Sequence, residues 1–357
     1  MTTSRPWMIY GASGYTGKIV IEEALARGHR PVVAGRSPDK VRPIAESFGL
    51  PWAAFDLTEV SRIIPALADV HLVLHCAGPF IHTSANMVTA CLARGVHYLD
   101  VTGEIPVFAA IFDRDEEARR AKVTLLPGVG FDVVPTDCLA KYVSEKIPNA
   151  RFLEIAFASL GQSSAGTAKS AIEMSQRGNF VRREGALVPA PLGDNLHRVR
   201  FSDRERDVVS IPWGDLETAY KSTGIANIAT YWAMPPTLAR GLKVFGSGIV
   251  SAMQNDRLRE TLKRFVDRHV DGPNAEERER GRSFVYAMAR DAAGKTAEAW
   301  LETLEGYAFT TKAAVYSVER VLQENPIGAL TPSLAFGSDF VLSIPTTKRF
   351  DSLPSMP

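Results

Sequence analysis

The chain has 357 residues, 45% of them apolar, with 41 basic against 40 acidic side chains and a net charge of +1. That length suits two domains or one domain with a large insert, and the charge balance gives no reason to expect nucleic acid as a partner. Cys76, Cys91 and Cys138 form no C-x-x-C pair, which predicts a reducing compartment without a disulfide framework; no long uninterrupted apolar run predicts a spanning helix. Met1 to Pro6 lead straight into the first predicted strand, so no signal peptide is expected and a cytoplasmic location is.

Trp7-Met8-Ile9-Tyr10 reads as a buried strand, Gly11-Ala12-Ser13-Gly14-Tyr15-Thr16-Gly17 as a glycine turn, and Ile19, Val20, Ala24 and Leu25 as the apolar face of a helix. Strand, glycine turn and helix in succession predict a dinucleotide site. Gly11 allows the tight turn, Gly14 lets a phosphate approach the backbone, and Gly17 lets helix and strand pack closely, with the helix N-terminus offering free N–H groups to a pyrophosphate. The spacing is G-x-x-G-x-x-G.

A second strand, Pro31 to Gly35, ends in Arg36-Ser37. An acid at this point selects NAD, whereas an arginine accommodates the 2′-phosphate of NADP. Gly35, Arg36, Ser37 and Lys40 are therefore expected at that phosphate, and NADP(H) is the expected cofactor. Trp52 to Phe55 makes a third strand that sets Asp56 and Leu57 beside the adenine. Val70 to His75 makes a fourth, followed by Ala77, Gly78, Pro79 and Phe80 in a turn where ligands of open α/β sheets bind. His97 to Val101, leading to Thr102-Gly103-Glu104, and Val123 to Pro127 complete a doubly wound parallel sheet, an α/β Rossmann domain over residues 1–131.

From Asp132 the rhythm changes. Arg151 to Ser159, Leu196 to Phe201 and Phe284 to Arg290 alternate, and the last joins Thr296 to Leu304 through a turn at Ala292 to Lys295. Local hairpins predict a second α+β domain over 132–309, carrying a mixed or antiparallel sheet. Residues 310–357, helical from Lys312 to Gln323, are expected to return and complete the first domain. Between Thr223 and Met253 the residues Leu238, Leu242, Phe245, Ile249 and Met253 share a helical face. It reads as core-facing in preference to a membrane-surface or acyl-chain contact, and a homodimer contact is a further use for such a face.

The stretches Gly11–Gly17, Ala34–Ser37, Cys76–Phe80, Asp100–Glu104 and Gly130–Asp137 resemble the saccharopine dehydrogenase-like oxidoreductases, including the bacterial branch labelled trans-acting enoyl reductases. So do Gly166–Ala171, Ile211–Asp215 and Gly328–Pro332, so the resemblance extends over nearly the whole chain. It implies an NADP-binding Rossmann domain with a saccharopine-reductase-like second domain, and does not imply saccharopine as substrate.

Hydride transfer needs a nicotinamide held against an electrophilic carbon and a proton source for the neighbouring atom. Tyr98, Glu104 and Asp132 are candidate donors. Asp132 comes first, because the resemblance aligns it with an acid near substrate; its alternative is a cap for the helix beginning near Pro135. Glu104 reads equally as an acid complementing a helix dipole. Lys169 either reaches the cleft or is a surface lysine. Tyr142 and Lys146 satisfy Y-x-x-x-K yet read as helix surface, Cys138 reads as buried in a helix, and His71 with His75 lacks the partners for zinc, so no metal site is expected.

The sequence thus points to an NADP(H)-dependent oxidoreductase reducing a polarised C=C or C=N bond of a small molecule, acyl or lipid-like. Two alternatives stand beside it: a dehydrogenase of an amino-acid secondary amine, for which Arg177, Arg182 and Arg183 are carboxylate partners, and a non-catalytic NADP-binding regulator. Two arginines converging on the cleft would favour the amine, and a filled cleft the regulator.

Overall fold

The computed structural model describes residues 6–159 and 163–353. β1 (Trp7–Tyr10) is buried at all four residues, which removes it from both sheet edges. It is followed by β2 (Val32–Gly35), β3 (Trp52–Ala54), β4 (Leu72–His75), β5 (His97–Asp100) and β6 (Thr124–Leu126). With β15 (Gly328–Ala329) these make one parallel sheet in the order β15-β6-β5-β4-β1-β2-β3. The chain runs outward from β1 through β2 to β3, then crosses back to place β4 on the other side of β1. That reversal opens a crevice at the carboxyl ends of the strands, where nucleotides bind in such sheets.

Helices cover both faces. α1 (Tyr15–Ala26) and α2 (Pro38–Phe48) lie on one; α3 (Val60–Ala66), α4 (Phe80–Arg94), α5 (Ile105–Phe112) and α6 (Asp115–Ala121) lie on the other. The α1 face also holds Ala314, Val315, Val318 and Val321 of α13 (Gly306–Glu324), packed with Val20 and Ile21. The expected completion of this unit by 310–357 divides: most of α13 and all of β15 pack on it, whereas β16 (Lys348–Phe350) pairs with β14 (Thr296–Leu304) of the other sheet.

The second sheet has nine strands and mixed direction. β7 (Ala150–Ser159) lies parallel to β12 (Asn227–Ala233) and antiparallel to β13 (Arg282–Asp291), which forms a hairpin with β14 (Thr296–Leu304). β8 (Asn179–Arg183), β9 (Ala186–Ala190), β10 (His197–Arg200) and β11 (Glu205–Ser210) extend the other side. One face is covered by α7 (Val134–Lys146) and α9 (Asp215–Thr223), burying Cys138, Leu139, Ile155, Leu216 and Val285 in one core.

Three further helices stand where the two sheets face each other: α8 (Ala165–Ser175), α10 (Pro236–Met253) and α11 (Asp256–His269). α8 buries no residue fully, and α10 buries only Ala239 and Gly246. The core-facing reading of α10 is therefore corrected: Leu238 is 51% and Phe245 67% exposed, while Ile249 borders a cavity. Amphipathic spacing fixes which residues share a face, not what covers it.

Candidate functional site

Two cavities meet at the carboxyl ends of β1 and β4. The larger, about 780 Å³, is bordered by the glycine turn, by Gly35 and Arg36 after β2, by Asp56, Leu57 and Thr58 after β3, and by Ala77 and Gly78 after β4. The glycine requirements of the motif are physical. Gly11 sits at φ +95°, and a Cβ there would lie 2.9 Å from the amide nitrogen of Ala77. A Cβ on Gly17 would overlap the carbonyl of Gly11. Gly14 is the N-cap of α1 and supplies no side-chain cap, so the amides of Tyr15 and Thr16 open into the cavity without helical acceptors. A concave wall of uncapped N–H groups at a helix N-terminus is an anion cradle, and the residues present fit a dinucleotide diphosphate.

Ser13, Gly14, Tyr15, Thr16, Gly35, Arg36, Asp56, Leu57, Ala77 and Gly78 border this cavity. Ala12 is buried in the core between sheet and helix, while Ser37, Lys40 and Pro79 lie outside the lining; Ser37 does occupy the N-cap position of α2, without a side-chain cap bond. Arg36 is exposed and, among the described residues, has no hydrogen-bond or ion-pair partner. Its guanidinium acts on the buried Tyr10 hydroxyl, which burial pushes up to about 12 against the opposing pull of Arg36. Asp56 is already engaged. Its carboxylate accepts bonds from the Thr58 amide and hydroxyl and from Arg62, and the Thr58 bonds foremost hold it below the usual carboxylate range.

The second cavity, about 390 Å³, shares Thr16, Cys76, Gly78, Ser164 and Gly166 with the first. Its wall is mainly apolar: Phe80 and Val101 from the first domain, Met174 of α8, Ile211 and Trp213 before α9, and Ile249 of α10. Met174, Gly178 and Pro212 continue it into a smaller apolar cavity of about 240 Å³. Among the described residues the charged groups of the 390 Å³ cavity are two acids, Glu104 and Asp132, and no lysine or arginine lines it.

These acids differ. Glu104 is spent on structure: its oxygens accept the amides of Phe80 and Ile81 at 2.8 Å each, closing the N-terminus of α4, and the Ser170 hydroxyl of α8 at 2.8 Å. Asp132 caps nothing, since the residue at the N-cap of α7 is Val133 and no side-chain cap bond is made there. Among the described residues the Asp132 Oδ1 is buried without a partner, and burial foremost, with Asp215 adding to it, raises this carboxyl well above the ordinary range. Gly103 is the reason the side chain fits, because any Cβ on Gly103 would overlap the Asp132 carboxyl.

Tyr98 is wholly buried in the core and donates to Asp100 Oδ2 at 2.8 Å, outside both cavities. Asp100 in turn accepts the amides of Thr102 at 3.0 Å and Gly128 at 2.9 Å, holding the turns that carry Gly103 and lead toward Asp132; burial lifts its carboxyl to about 6. Lys169 borders the larger cavity and pairs with Asp267 at 2.7 Å.

The arginines do not converge on the 390 Å³ cavity. Arg182 is buried against Glu217, with its other nitrogens on the carbonyls of Leu216 and Gly185. Arg183 borders a different cavity on the far sheet, and Arg177 borders only the 240 Å³ extension. Tyr142 and Lys146 share Asp351 on the surface. Cys76 is the cysteine at the cavities, and burial pushes its thiol up to about 12, leaving it a poor nucleophile at neutral pH. Among the described residues no cluster of three or more His, Cys, Asp or Glu side chains is arranged to hold a metal ion.

Residues 7–126 match the family model described as the saccharopine dehydrogenase NADP binding domain. A saccharopine dehydrogenase-like oxidoreductase of Homo sapiens is 31% identical over 230 residues, which are 55% of this chain and 53% of that protein. A Mycobacterium tuberculosis protein provisionally named a trans-acting enoyl reductase is 31% identical over 139 residues, 36% of this chain and 33% of the other. The chain spans about half the length of the mammalian relatives it matches. Among solved structures, saccharopine dehydrogenase (L-Glu forming) of Saccharomyces cerevisiae aligns with a TM-score of 0.66 at 12% identity, covering 97% of this chain and all of that one, a likeness of fold.

The glycine turn was legible in sequence; its partners in the second domain were not. Ser164 and Gly166 border both cavities, and Met174 and Trp213 wall the apolar one. Segments Gly166–Ala171 and Ile211–Asp215 carry the family resemblance, the one signal that points to this wall. Trp213 packs against Phe157 in a tilted ring contact, with centroids 4.3 Å apart and planes inclined by 36°.

Proposed function

We propose that the protein is an NADP(H)-dependent oxidoreductase that reduces a polarised C=C bond in an apolar, acyl-like substrate. The observation that carries this reading is the cavity between Gly78 and Asp132: apolar on most of its wall, continuous with the dinucleotide groove, and without a lysine or arginine. A substrate bearing amino-acid carboxylates would meet two acids there and, among the described residues, a single arginine, Arg177, only at the 240 Å³ extension, so the converging pair of arginines that the amine alternative calls for is missing. The open cleft likewise counts against a purely regulatory dinucleotide-binding role.

A bound nicotinamide supplies the hydride. The chain's own residues bind and orient. The amides at the start of α1 hold the diphosphate, and Arg36 pairs with the 2′-phosphate that distinguishes NADP from NAD. The apolar wall excludes water from the reacting end of the cleft. Asp132, kept protonated by burial, holds a proton at its carboxyl for the carbon or oxygen that gains negative charge. Glu104 acts as a positioning residue, fixing the Gly78–Phe80 turn through two amides.

Titration of the protein with NADPH and with NADH, followed by nicotinamide fluorescence, tests the cofactor. Turnover of NADPH with enoyl thioesters against imino acids then tests the substrate class. Oxidation of NADPH by imino acids alone would overturn the apolar reading, and no binding of either nucleotide would overturn the oxidoreductase.

A further inference from the structure

The α8 helix is a partition between the two cavities. Ser164 and Gly166 border both. Thr167, Ser170, Ala171 and Met174 face the apolar cavity, whereas Ala165 and Lys169 face the dinucleotide cavity. Successive residues of one helix thus separate the two functions by face, as its 3.6-residue period requires. Of the residues lining the dinucleotide cavity, Arg36 and Lys169 are the lysine and arginine members; Asp56, His82 and Asp271 are its other charged or imidazole groups.

The two cations stand at different stations. Arg36 follows β2, beside Tyr10 and Asp56, where the adenosine ribose sits in folds of this order. Lys169 stands on the second domain, one turn beyond Gly166, which borders the cleft together with Thr16, Cys76 and Gly78. The stretch of groove between the ribose of the adenosine and the nicotinamide belongs to the diphosphate. The first domain meets that group with backbone amides and lines the cavity there with no lysine or arginine of its own.

Lys169 Nζ is 2.7 Å from Asp267 of α11, with the two side chains 28% and 53% exposed. An ion pair this open contributes little to stability and exchanges readily for a better anion. Resting on the dinucleotide reading above, we infer that Lys169 is a diphosphate ligand contributed by the second domain, and that Asp267 is its competing partner in the free protein. Cofactor binding then transfers Lys169 from α11 to the phosphates, tying α8 across the groove to the first domain. The Glu104–Ser170 bond, 2.8 Å, already joins α8 to that domain on its other face.

The test reads affinity for NADPH, NADH and ADP-ribose, three ligands that share the diphosphate and differ at the 2′-phosphate and nicotinamide. Lys169→Gln is expected to weaken all three about tenfold, Lys169→Arg to restore most of the loss, and Asp267→Asn to tighten all three about two- to fivefold. Arg36→Ala, by contrast, should weaken NADPH alone. A purely structural ion pair moves differently: both single variants weaken binding together with the melting temperature. That outcome, or three unchanged affinities in Lys169→Gln, overturns the inference while leaving the cofactor reading intact. A wild-type protein that binds none of the three overturns the cofactor reading itself.

Discussion

The two walls of the cleft are built on opposite principles. The first domain presents backbone: a glycine turn and a helix start with no side-chain cap, fixed by a parallel sheet whose central strands are fully buried. The second domain presents side chains from helices that bury almost nothing, α8 and α10, held by a few polar ties such as Glu104 to Ser170 and Lys263 to Glu173. Rigid backbone donors suit a ligand part that never varies, and adaptable side chains suit one that does.

The largest effects are expected at the reacting and cofactor-binding end of the cleft. Asp132→Asn removes the held proton and is expected to lower turnover by about 10²–10⁴-fold with NADPH affinity unchanged, measured by steady-state kinetics beside fluorescence titration. Gly14→Val places a branched side chain at the mouth of the anion cradle, where even a Cβ would lie 3.3 Å from the Gly11 carbonyl. NADPH affinity should fall about a hundredfold, roughly 3 kcal/mol, with the circular dichroism spectrum retained. Arg36→Ala should cost NADPH about 1.5–3 kcal/mol and NADH nothing; equal losses would remove the 2′-phosphate assignment.

Smaller changes probe the adaptable wall. Ala171→Phe intrudes on the apolar cavity and should raise KM for the longer acyl substrates several-fold while leaving NADPH binding alone, an asymmetry that a shared backbone wall would not allow.

A pH experiment separates scaffold from site. The Asp100 carboxyl is raised in the fold to about 6, so the native state holds a proton that the unfolded chain has released. The stability tied to this group is present at low pH and lost as pH rises from the ordinary carboxylate range through about 6. Melting curves of Asp100→Asn should lack that slope, while its Oδ1 still accepts the Thr102 and Gly128 amides and the loss of the Oδ2 acceptor for the Tyr98 hydroxyl lowers stability throughout.

The dinucleotide half was readable because its requirements are local. Gly11, Gly14 and Gly17 are contiguous with the strand and helix they join, and Arg36 marks the end of the neighbouring strand. Each is constrained by backbone sterics that act over a few residues. Asp132 was legible as a candidate, yet its two readings, proton donor and helix cap, could not be separated until Val133 proved to be the N-cap and Oδ1 to be buried without a partner. Tyr98 and Glu104 show the reverse. They stand near the right strand end in sequence, but Tyr98 points into the core and Glu104 is consumed by the Phe80 and Ile81 amides, facts that depend on contacts more than twenty residues away.

Sequence alone therefore determined the order of elements, the glycine turn and the cation after β2, because hydrophobic period and steric necessity are written residue by residue. Tertiary structure decided what faces what. It put α8 between two cavities, left α10 largely uncovered, kept Arg182 and Arg183 away from the apolar cleft and desolvated Asp132, since burial and apposition are properties of surfaces brought together from distant parts of the chain.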